Sequence, residues 1–123
     1  MSFLYSIGGG VHHGETTEQA VVREVFEETG VRYKIDRLAF VHENFFVMQE
    51  GVFKDKQCHE IAFYFLMKPQ GNQEVQCKSE TADGKEFVKW IPIDELQNYV
   101  AYPSFYIEKL LSLPATVEHI ISS

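Results

Sequence analysis

At 123 residues and 45% hydrophobic content, the chain is long enough to bury one core and too short for two. A net charge of −7 argues against duplex nucleic acid and anionic membrane surfaces as natural partners, since both are polyanions, and an anionic small molecule would need bridging cations. No long uninterrupted apolar run and no basic leader followed by an apolar stretch occurs, so the expectation is one soluble cytoplasmic domain over residues 1–123, with Cys58 and Cys77 reduced and structurally minor.

In chain order, Phe3, Leu4, Tyr5 and Ile7 suggest a short strand ending at Gly8, Gly9 and Gly10, where the backbone is free to approach a ligand. His12 and His13 follow in the same loop, either as phosphate contacts or as solvent-exposed loop residues. Thr16 and Gln19 form the S/T-x-x-E/Q capping pattern, which predicts a helix from about Thr17, and Gly30 ends it. Val31 to Met48 shifts toward strand, with Leu38, Phe40 and His42 on one face and Ala39 and Val41 on the other.

Gln49 to Gln57 reads as a loop. Cys58 to Met67 is the clearest strand, apolar on both faces and therefore expected at the sheet centre, paired with its predecessor as an antiparallel hairpin. Lys68 to Lys85 is a polar loop with a short strand at Glu74 to Cys77, and Glu86 to Ile91 resumes as strand. Pro92 then opens a helix through Asp94, Glu95 and Leu96. A last helix is predicted over Ser104 to Leu111, broken by Pro114, with a terminal strand at Thr116 to Ile121.

The first helix carries the chemistry. At 100° per residue Arg23, Glu24, Glu27 and Glu28 fall around Ala20 on one arc, and Val21, Val22, Val25, Phe26 and Thr29 fill the other. Glu24 and Glu28 form a like-charged i,i+4 pair that costs roughly 0.2–0.5 kcal/mol. Oxygen-rich side chains converging on one surface suit a hard divalent cation, Mg²⁺ or Mn²⁺; the competing reading is a solvated acidic face.

The pattern around this helix weighs against the plainer reading. Gly9, Glu15, Arg23, Glu24, Val25, Glu27, Glu28, Gly30 and Val31 coincide with every fixed position of the Nudix box, and the preceding GGG and the capping GET also resemble the Nudix hydrolases. The resemblance is specific over residues 8–31 and looser beyond. It implies an α/β fold, the Nudix-type α/β/α sandwich with a mixed β-sheet, short of part of the N-terminal strands that family members usually carry before the box. A sheet edge left bare in this way would be covered by a second subunit, which makes a homodimer the expectation.

The resemblance further implies a divalent-metal-dependent pyrophosphohydrolase that cleaves a phosphoanhydride in a nucleoside diphosphate linked to another group. Glu24, Glu27 and Glu28 would be the metal ligands with the Gly9 carbonyl, and Glu15 would support them. Glu24, Glu27 and Arg23 are the catalytic candidates, with Arg23 orienting a glutamate through a charge-assisted hydrogen bond. The general base stays open between Glu24 within the box and Glu60, Glu80, Asp83 or Glu86 outside it. A substrate base could stack on Phe45, Phe46 or Tyr64, each of which also reads as core packing. Two further readings stand beside this one: a Nudix-fold module that binds a nucleotide without cleaving it, and an inactive, N-terminally truncated domain.

Overall fold

A computed structural model describes the backbone of residues 3–70, 80–81, 84–85 and 90–123. The fold is α/β. The chain divides into two compact units, residues 1–35 with 67–113 and residues 36–66 with 114–123, each described below on its own. Among the described residues no helix is long and apolar enough to cross a membrane.

The first unit begins with β1 (Phe3–Tyr5), which pairs in parallel with β6 (Val100–Tyr102), Phe3 opposite Val100 and Tyr5 opposite Tyr102. The Tyr5 and Tyr102 rings stack at 5.3 Å, and the Ser6 N–H donates to the Tyr102 carbonyl, 3.1 Å. Beyond the glycine loop, α1 (Thr17–Thr29) starts where its cap dictates. The Thr16 hydroxyl accepts from the Gln19 N–H at 3.0 Å, and the Gln19 side chain accepts from the Thr16 N–H at 2.9 Å. Two of the helix's orphan donors are thereby satisfied.

Gly30 ends the helix in the left-handed conformation (φ 77°), its N–H on the Phe26 carbonyl. Thr29, buried, donates to the Val25 carbonyl and accepts from the Val31 N–H, which tightens the exit. The apolar arc buries Val25 and Thr29 as expected, but Ala20 is also buried, although it lies on the carboxylate side. Phe26 is half-buried and carries the Arg32 guanidinium 4.2 Å above its ring.

The remainder of this unit is built from short pieces. β4 (Glu80–Thr81) and β5 (Gly84–Lys85) form an antiparallel two-residue pair. Pro92 precedes a 3₁₀ helix at Ile93–Asn98 rather than an α-helix. α2 (Tyr106–Lys109) occupies the middle of the predicted 104–111 helix, with turns on either side. β6 has no counterpart in the sequence reading. The predicted strand at 74–77, Cys77, and most of the strand predicted from Glu86 lie outside the described residues; Trp90 and Ile91 belong to no strand. Trp90 meets the buried Tyr33 edge-on at 6.5 Å.

The second unit is a three-stranded sheet ordered β3 (Gln57–Met67), β2 (Ile35–Val47), β7 (Glu118–Ser122). β2 and β7 run parallel, from Phe40 opposite Glu118 to Asn44 opposite Ser122. The loop between β2 and β3 turns the chain back through Met48 N–H to the Lys56 carbonyl and Asp55 N–H to the Met48 carbonyl, with Gly51 and Asp55 at positive φ.

The expectation that the 58–67 strand is central is corrected. Among the described residues it is an edge strand, with Ile61 and Phe63 exposed, and the centre is β2, which holds Ala39, Phe40 and His42 buried. Apolar residues on both faces do not by themselves place a strand in the middle; here it is the pairing of β7 with β2 that puts β2 there. His42 Nε2 meets the Ser122 hydroxyl at 2.9 Å, and Arg37 donates to the Pro114 carbonyl at 2.6 Å, which ties the final segment to β2. Cys58 is a free thiol directed at the Lys56 carbonyl.

Candidate active site

The site lies in the first unit and is organised by Arg23. Its guanidinium forks onto Glu15, Nε to Oε2 at 2.8 Å and Nη2 to Oε1 at 3.0 Å. Nη1 donates to Glu24 Oε1 at 2.8 Å and lies 3.5 Å from both oxygens of Glu27. Nη2 also reaches the Gly10 carbonyl at 3.0 Å. A planar five-donor fork can hold this many acceptors at once, which an ammonium could not.

Position along the helix explains the grouping. Arg23 and Glu27 are i,i+4 neighbours, while Glu15 sits ahead of the N-cap, where its Oε1 also accepts from the His12 N–H at 2.9 Å. The Arg23 hydrogen bonds hold the Glu15 carboxyl down at about 2, helped by the His12 N–H, and the same pairing raises the Arg23 pKa further. Glu15 is thus a fixed anion and Arg23 a fixed cation. Glu15, Arg23 and Glu24 are each largely covered, whereas Glu27 is 53% exposed.

Gly9 faces Glu24 at very short range. A Cβ placed on Gly9 would lie 2.4 Å from the Glu24 carboxyl carbon and 2.5 and 2.6 Å from its oxygens. Only a residue without a side chain leaves the loop backbone and this carboxylate side by side. Glu28, one turn beyond Glu24, has its Oε2 buried.

These observations test the fit of a divalent cation. The donors are all oxygen, the type hard cations take, and the loop backbone and a helix carboxylate share one cradle. To that extent the residues fit. Among the described residues, however, no three His, Cys, Asp or Glu side chains are gathered so as to hold a metal, and it is Arg23 that bridges Glu24 and Glu27.

The other residues singled out from sequence fall elsewhere. His12 and His13 are exposed in the loop, with His12 Nδ1 4.0 Å from Glu15. Glu60 is exposed on β3 and Phe45 on β2, both in the second unit, and Phe45 stacks on His59 at 4.1 Å. Phe46 and Tyr64 are half-buried in that unit, and burial raises the Tyr64 pKa. Glu80 falls at the start of β4, and Asp83 and Glu86 lie outside the described residues. The sequence reading missed the Gly10 carbonyl and the His12 N–H, both backbone groups; a glycine run beside an arginine-bearing helix was the one signal for the former.

Comparison with known proteins gives the family. The family model of the NUDIX domain matches residues 3–109. A "MutT-like protein" of Streptomyces ambofaciens is 34% identical over 94 residues, covering 76% of this chain and 51% of that protein. The "Putative mutator protein MutT4" of Mycobacterium tuberculosis (strain CDC 1551 / Oshkosh) is 32% identical over 94 residues, again 76% of this chain and 34% of that protein. The chain therefore spans about half or less of the length of these curated relatives. With the family model covering most of its length, the chain belongs to the Nudix family.

Proposed function

We propose that this chain is a divalent-metal-dependent pyrophosphohydrolase that cleaves a phosphoanhydride bond in a nucleoside diphosphate linked to another group. The observation that carries the reading is the Glu15–Arg23–Glu24 network set against Gly9. A solvated acidic face has no use for an arginine that is clamped by a bidentate pair with Glu15 and in turn holds Glu24 beside a glycine backbone.

In this reading Glu24, Glu27 and Glu28, with the Gly9 carbonyl, hold Mg²⁺ or Mn²⁺. The bound ion would neutralise phosphate charge and make a water nucleophilic. The chain's own residues supply orientation. Arg23 braces Glu24 from one side and is itself held by Glu15, so the position of the carboxylate is set before substrate arrives. The tie from Arg23 to the Gly10 carbonyl fixes the glycine loop relative to the helix. Glu24 is the candidate general base within the box; Glu60, Glu80, Asp83 and Glu86 remain the candidates outside it.

The test is a panel of nucleoside diphosphate derivatives incubated with Mg²⁺, with released phosphates measured for the wild type and Glu27→Gln. Turnover that disappears in the variant, with an unchanged fold, supports the reading. Equal rates in the two proteins would reject the metal role of Glu27, and no turnover on any substrate with intact Mg²⁺ binding would favour a nucleotide-binding module.

A further inference from the structure

In the first unit β1 and β6 run in parallel and stop together, at Tyr5 and Tyr102, which are register partners. The two rings stack at 5.3 Å with 18° between their planes, yet Tyr5 stays 75% exposed and Tyr102 41%. One ring face of Tyr5 therefore rests on Tyr102, and among the described residues the other is open. A cross-strand aromatic pair can serve only to hold two strands together. The position of this one gives it a second use.

In open α/β sheets ligands gather beyond the carboxyl ends of parallel strands. Here the carboxyl end of β1 leads straight into the glycine loop, and the Ser6 N–H, bonded to the Tyr102 carbonyl at 3.1 Å, moors the start of that loop to β6. Gly9, which faces Glu24, follows Tyr5 by four residues, so their Cα atoms are at most about 14 Å apart. A nucleoside diphosphate covers a comparable length from base to terminal phosphate. Tyr5, Tyr102, Gly9 and Glu24 all belong to the same unit.

We infer that Tyr5, backed by Tyr102, stacks the nucleobase of the ligand whose phosphates lie at the glycine loop. The inference rests on the function proposed above and names a substrate contact for it. On a chain of net charge −7 the phosphates need a cation between them and the protein, whereas the base is the flat, uncharged end that an acidic surface can hold directly. A ring already leaning on a second ring gives up little freedom when a base lands on it. Stacking reads no hydrogen-bond pattern, so purine and pyrimidine should both be accepted. Phe45, Phe46 and Tyr64, the candidates for this role in the sequence, belong to the second unit.

The probes are the uncleavable, methylene-bridged analogue of adenosine diphosphate and methylenediphosphonate, which has no base, each titrated by calorimetry in the presence of Mg²⁺. The nucleotide should bind the wild type more tightly than the bare diphosphonate. Tyr5→Leu keeps an apolar contact with Tyr102 and removes the ring; it should weaken the nucleotide about tenfold and the diphosphonate by less than about twofold. Tyr5→Phe should keep the nucleotide within about threefold of the wild type. With Tyr5 three-quarters exposed, both variants should fold, which circular dichroism verifies. Equal losses for the two ligands in Tyr5→Leu would make the tyrosine a mooring for the loop and overturn the inference. A nucleotide affinity untouched by Tyr5→Leu, or a wild type that binds no nucleotide, would overturn it too. Nucleotide binding that depends on Tyr5, in a protein that turns over no substrate, would support the inference and reject hydrolysis alone.

Discussion

Gly9 and Glu24 are so close that a single added methyl on Gly9 would overlap the glutamate's carboxyl group. Gly9→Ala is therefore a specific probe of the site. The atoms it would strike are the far end of a flexible side chain, and Gly9 does not occupy the left-handed conformation, so Glu24 can swing aside at little cost to the fold. The expected outcome is a melting temperature within about 3 °C of wild type and hydrolysis reduced about a hundredfold by misplacement of the carboxylate. A variant that hydrolyses at the wild-type rate would show that the contact is incidental.

Arg23→Lys keeps the charge and removes the fork. A lysine can hold one of Glu15, Glu24 and the Gly10 carbonyl well, but not all three in fixed relative positions. Turnover should fall by about 10- to 100-fold with little change in KM, the pattern of a lost positioning group. Mn²⁺ affinity, read by electron paramagnetic resonance, should fall with it. A change confined to KM would instead place the arginine on substrate.

Mg²⁺ added at about a hundred times its dissociation constant should stabilise the folded chain by about 2.7 kcal/mol if it binds that state alone, a rise of about 10 °C in Tm for a domain of this size. Calorimetry with and without a chelator measures this directly. The Glu24→Gln and Glu28→Gln variants should show a smaller rise. A flat Tm in the wild type would remove the cation from the site.

Acid should weaken the second unit through His42. Burial lowers its pKa below the ordinary 6.5, with the charge of Glu60 opposing the shift only in part. Between the lowered value and 6.5 the unfolded chain binds a proton there that the folded chain refuses, so stability is full above 6.5 and declines as pH falls below it. Melting at about pH 7.5 and about pH 5.5 should show a loss in wild type that is smaller in His42→Gln. Glu43, whose carboxyl is held down by His119 and then His59, adds a loss of the same sign only at lower pH. Identical pH profiles for the two proteins would mean that His42 accepts its proton in place.

What could be read from sequence was local. Thr16, Gln19 and Gly30 marked α1 because a cap is a contract between residues three or four apart, and the box residues were legible because their spacing is short and constrained. Strand order was harder. Both β2 and β3 are rich in apolar residues on alternate positions, and which one lies inside depends on β7, whose partner residues on β2 lie nearly eighty positions earlier. β6 went unseen because three residues carry no periodicity and its partner is at the other end of its unit. Within the site, the glutamates announced themselves, while the Gly10 carbonyl and the His12 N–H did not, since a backbone group has no letter of its own.

The pairing of β1 with β6 also sets a timetable. The cap of the thirteen-residue helix closes between near neighbours, although a helix of this length is marginal until something packs against it, whereas β1 forms only when residues 3–5 find residues 100–102. Contacts that span so much chain form slowly and late. During synthesis the helix cap and the tie from Arg23 to the Gly10 carbonyl draw only on nearby sequence, while the strand that leads into the glycine loop is seated only after residue 102 has left the ribosome.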